Sequence, residues 1–98
     1  MVTSKERFSE YLKKAQTFQS MALGTADINI SITSVLGREC SITVYVYPLD
    51  EDCRYIPDTK KKDSYIYYKF SFSEWELMEE NEKSLKEMLN LQREMLDL

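Results

Sequence analysis

From Phe8 the apolar residues Phe8, Tyr11, Leu12, Ala15, Phe18 and Ala22 recur at three- and four-residue spacing, the stripe of a helix that buries one face. Thr3 and Glu6 have capping-box spacing, and Gly24 can supply the left-handed residue that ends a helix. The pattern therefore predicts a first helix over about 4–23. The period then changes to two. Ile28, Ile30 and Ile32 alternate with Asn29, Ser31 and Thr33, which predicts a strand at about 26–34. After the turn residues Gly37, Arg38 and Glu39, Cys40, Ile42, Val44 and Val46 alternate with Ser41, Thr43, Tyr45 and Tyr47. Pro48 removes a ladder donor, so this second strand is expected at about 40–47, paired with the first as an antiparallel hairpin.

Residues 49–63 show neither period and are expected as a protruding loop, since so long a connection in a small domain is usually mobile or functional. Alternation resumes with Ile66, Tyr68, Phe70 and Phe72 on one side and Tyr65, Tyr67, Lys69 and Ser71 on the other, a third strand at about 64–72. Ser73 and Glu76 then have capping-box spacing, and Phe72 and Leu77 sit where a hydrophobic staple would form. With Met78, Leu85, Met88, Leu89, Met95 and Leu96 continuing a helical stripe, a second helix is expected over about 74–96. The order helix, strand, strand, strand, helix is an α+β pattern. A three-stranded antiparallel meander with both helices on its isoleucine face buries every apolar stripe, in a single two-layer domain over 1–98.

Composition narrows the chemistry. Ninety-eight residues, 43% hydrophobic and 31% charged, with two Gly and two Pro, suit one soluble core. There is no His, which removes Ser-His-Asp and Cys-His catalysis and imidazole-ligated metals. Cys40 and Cys53 lie in no metal-ligand spacing, and Asp50, Glu51 and Asp52 lack the Gly and Glu of a calcium loop; no cofactor or metal is expected. Two cysteines, no leader-like apolar stretch and no apolar run of about 18 residues point to the cytoplasm rather than a membrane.

The net charge is −4, concentrated in the second half, so the field repels a polyanion and nucleic-acid binding is disfavoured. The element order resembles the double-stranded RNA-binding domain over most of the chain. That family grips phosphates with a Lys-Lys-x-Ala-Lys cluster at the start of its last helix. Here Ser73-Glu74-Trp75-Glu76-Leu77 reverses the charge, so the family's function does not carry over.

Two surfaces remain as candidates. If the Ile and Val positions face inward, Tyr45, Tyr47, Tyr65 and Tyr67 share the open sheet face with Lys69, while Arg54 and Tyr55 lie in the adjoining loop. Tyrosine presents rigid area with a hydrogen-bonding tip, so this set is the expected partner-binding surface. The last helix is the second, with Met88, Leu89, Met95 and Leu96 expected to support self-association. The acidic run Glu74–Glu82 reads first as solvated charge matched to a helix dipole. The expectation is a small acidic, non-enzymatic protein-interaction domain, homodimeric, in an accessory or inhibitor-type role. In size and charge only, it is similar to small accessory, chaperone-like and phage-encoded inhibitor proteins. The alternative is a small-molecule or nucleotide-binding module that stacks a planar ligand on the tyrosines and neutralises phosphate with Lys69 or Lys60, Lys61 and Lys62.

Overall fold

The 3.6-residue stripe of the first segment coils into α1, Ser4–Met21, with Phe8, Tyr11, Ala15 and Phe18 buried along one side. The structure, a computed structural model, describes residues 4–35 and 39–97. The Thr3 cap and the Gly37-Arg38 turn lie outside the described residues. α1 stops two residues short of expectation. The backbone then turns through Gly24 at φ +82°, and Ala26 N–H donates to the Ala22 carbonyl at 2.9 Å.

The alternating segments form β1 (Ala26–Val35) and β2 (Glu39–Pro48), followed by β3 (Tyr68–Ser73), in an antiparallel sheet of order β1-β2-β3. The register places Ile28 opposite Val46, Val44 opposite Phe70 and Ile42 opposite Phe72. These residues line one face and merge with Phe8, Tyr11 and Phe18 of α1 into a single core. The last segment, α2 (Met78–Leu96), contributes Leu85 and Met88 to that core. Tyr11 of α1 stacks on Phe72 of β3 with ring centroids 4.7 Å apart. The two helices run parallel. At their starts Arg7 pairs with Glu82 and Tyr11 donates to Glu82 Oε1 at 3.1 Å, and near their ends Gln92 Nε2 donates to Met21 Sδ at 3.3 Å.

The departures from expectation have identifiable causes. β3 starts at Tyr68 rather than 64 because residues 64–66 hydrogen-bond within the preceding loop: Ile66 N–H donates to the Ile56 carbonyl and Asp58 N–H to the Ser64 carbonyl, both at 2.8 Å. The 49–63 stretch is therefore folded back on itself, with bridges Leu49 to Tyr55 and Pro57 to Tyr65.

α2 starts at Met78, not 74, and the capping box and staple do not form. Asn81, buried on the inner side of α2, accepts from Ser73 N–H at 3.1 Å and donates to the Ser73 carbonyl at 2.9 Å, which holds residues 74–77 out of the helix. Leu77 is the helix N-cap without a side-chain cap bond. It is exposed instead of pinned to Phe72. Ile32 and Tyr68, expected inward, are exposed, and neither belongs to the core that the helices cover.

Candidate functional site

Because side chains alternate across a strand, the register that turns Val44 and Val46 inward turns Tyr45 and Tyr47 outward. Tyr45 lies between Asn29 and Lys69 in the ladder, and Tyr47 lies opposite Asp27. The folded loop brings three more rings to the same face. Tyr67 packs between Tyr45 (6.2 Å between centroids) and Tyr47 (5.7 Å), Tyr55 lies 5.3 Å from Tyr47, and Tyr65 lies 5.3 Å from Tyr55. Lys69 closes the row, its Nζ 5.8 Å from the Tyr45 centroid. Five tyrosines and one lysine thus form an unbroken series, half-buried at Tyr45 and Tyr47 and exposed at Tyr55, Tyr65 and Tyr67. Face and loop, distinct in the sequence, are one surface.

Two aspartates build this surface: Asp50, weighed in the sequence only as a calcium-loop residue, and Asp27, which the sequence does not single out. Tyr55 donates its hydroxyl to Asp27 Oδ2, which ties the loop to the edge strand. That bond to a carboxylate pushes the Tyr55 phenol above its ordinary range. Asp50 shapes the turn before Tyr55: its Oδ1 accepts from Asp52 N–H at 2.8 Å and Arg54 N–H at 3.0 Å, and its carbonyl accepts from Cys53 N–H at 3.0 Å. Aspartate at the head of a turn is a readable signal for Asp50. Asp27 carried none, because its partner is 28 residues away.

At the loop end of the row an open hollow of about 650 Å³ is lined by Asp27, Leu49, Cys53, Arg54, Tyr55 and Tyr65. Lys61 and Lys62 line a second concavity of about 360 Å³ that shares the Tyr65 wall. Arg54 therefore joins the tyrosines, and these two loop lysines reach its margin. The exposed Cys53 thiol borders the hollow without a histidine anywhere in the chain to activate it. Among the described residues no group of three or more Cys, Asp or Glu side chains is placed to hold a metal ion. Nor is any helix among them long and apolar enough to cross a membrane.

The α2 candidates fare differently. Met88 is completely buried in the core, so it cannot contribute to a self-association surface. Leu89, Met95 and Leu96 are half-buried and pack against the same core. Asn81 and Gln92, polar positions within the same stripe, are bonded inside the protein. Comparison with known proteins finds no matching family model, no matching curated protein and no matching solved structure.

Proposed function

We propose that this chain is a small, non-enzymatic protein-interaction domain that grips a partner protein with its tyrosine face. One observation carries the reading: the unbroken row of Tyr45, Tyr67, Tyr47, Tyr55 and Tyr65 on the side of the sheet away from both helices. Interface centres are enriched in tyrosine because the ring supplies contact area at low entropic cost and the hydroxyl finds a partner at the rim. Rings already packed against one another also lose little freedom on binding. An accessory or inhibitory role suits a surface that can occupy a partner without transforming it.

The test is recovery of a partner from extracts of the cells that encode the chain. It compares the wild type, the double variant Tyr45→Ser/Tyr67→Ser and a control on the outer side of α2, Lys83→Ser. A protein retained by the wild type and the control, and lost with the double variant, is the expected result. If the recovered set is the same for all three, the face is not the binding surface.

The hollow beside Arg54 favours a second reading, a planar anionic small molecule stacked on Tyr55 or Tyr65 with its negative charge toward Arg54, Lys61 or Lys62. A thermal-shift panel of nucleotides separates the two, because a ligand at 100 times its Kd stabilises by about 2.7 kcal/mol. A flat panel leaves the protein-binding reading alone.

A further inference from the structure

The segment joining β3 to α2 contradicts its own local sequence. Ser73 and Glu76 have the spacing of a capping box, and the residues between are acidic and aromatic, a good start for a helix. The chain nevertheless spends the buried amide of Asn81 on holding Ser73, and residues 74–77 run as a turn. The result is a patch of large apolar side chains in solvent: Trp75 is 57% exposed, Leu77 68% and Met78 50%. Places where local preference is overridden and apolar groups are left outside are where function is expected.

The charge around the patch is mainly negative. Glu74, Glu76, Glu79 and Glu80 surround it. Glu80, four residues on, raises the affinity of Glu76 for its proton by hydrogen bonding and by charge. Among the described residues, Arg7 is the basic side chain paired nearby, and it is engaged by Glu10 at 2.6 Å and by Glu82. Between α1 and the patch is a cleft of about 60 Å³ walled by Phe8, Tyr11 and Met78, with Arg7, Glu74 and Glu76 on its lining as well. Glu74 accepts from Cys40 N–H at 3.3 Å and Arg7 is taken up by Glu10 and Glu82, so an apolar wall beside Glu76 and Glu80 matches a side chain with an aliphatic stem and a cationic head.

We propose that this patch docks a basic amphipathic segment of a partner protein, with apolar side chains on Trp75, Leu77 and Met78 and a Lys or Arg at Glu76 and Glu80. The site is separate from the tyrosine face: Tyr67 and Lys69 stand at the start of β3, whereas the patch follows Ser73 at the strand's other end.

Trp75 is the chain's sole tryptophan, so its emission reports on this patch alone. The full chain is titrated with a helical peptide of Lys and Leu in amphipathic order, its Glu and Leu counterpart, and a leucine-free oligolysine. The expected result is a saturable blue shift with the Lys/Leu peptide only. Glu76→Gln/Glu80→Gln and, separately, Leu77→Ser each weaken binding about fivefold. Tyr45→Ser/Tyr67→Ser leaves it unchanged. An equal response to oligolysine or to the anionic peptide overturns the proposal, as does a Kd unaffected by removing both carboxylates. A blue shift produced by raising the protein concentration alone, and abolished by Leu77→Ser, also overturns it by assigning the patch to a second copy of the chain.

Discussion

Tyr11 concentrates several interactions in one side chain. It is 1% exposed, stacks on Phe72, meets Phe8 edge-on at 5.8 Å, and donates its hydroxyl to Glu82 at 3.1 Å. Burial, then the bond to Glu82, push its phenol above the ordinary tyrosine value of 10.0. The folded protein therefore holds this proton more tightly than the unfolded chain does. The corresponding stability is fully present below about pH 10 and is lost as pH rises from there through the folded-state value. Urea midpoints measured from pH 8 to pH 11 should fall for the wild type and fall less steeply for Tyr11→Phe. That variant should start about 1 kcal/mol lower at pH 8 for want of the hydrogen bond. Parallel curves would mean that Tyr11 contributes nothing to the alkaline loss. Tyr55 shifts in the same direction at the surface and is common to both proteins, so the comparison isolates Tyr11.

The boundary between β3 and α2 shows how an element can be set by one distant residue. Asn81 satisfies both backbone groups of Ser73, itself buried, eight positions away. Asn81→Ala leaves a buried N–H without its acceptor and should destabilise the fold by about 2 kcal/mol, read as a lower urea midpoint. A midpoint within error of the wild type would show that the amide is dispensable. The same residue explains a failure of periodicity. The stripe through Leu85 and Met88 was legible because apolar spacing reports burial directly, as it did for α1 and for the alternation of β1 and β2. The start of α2 was not, because the helix signals at Ser73 and Glu76 are local and the bond that defeats them is tertiary. Likewise Tyr45, Tyr47, Tyr65, Tyr67 and Lys69 could be assigned to one face by parity alone. That Tyr55 joins the row, and that Tyr65 reaches it from the loop rather than from β3, depends on the fold of 49–63 and on Asp27, which no period encodes.

At the scale of the molecule, the folded loop lengthens one end of the sheet. The radius of gyration of 14.6 Å exceeds the roughly 12.6 Å of a compact chain this long, and the extents are 45 × 30 × 20 Å. Met88 is locked in the core, so of the two surfaces expected to self-associate we propose the tyrosine face. A standard interface takes about 800 Å² from each partner, roughly a ninth of this molecule's 7224 Å². On that proposal a second copy and an outside partner would compete for the same rings. Light scattering after size exclusion should show a mass that approaches twice 11.6 kDa as concentration rises, and Tyr45→Ser/Tyr67→Ser should remain at 11.6 kDa throughout. Leu89→Ser, on α2, should leave the dimer intact if the variant remains folded. A wild type of 11.6 kDa at every concentration would sink the dimer and leave the rings free for a foreign protein. A dimer that survives the tyrosine substitutions would remove the face from self-association.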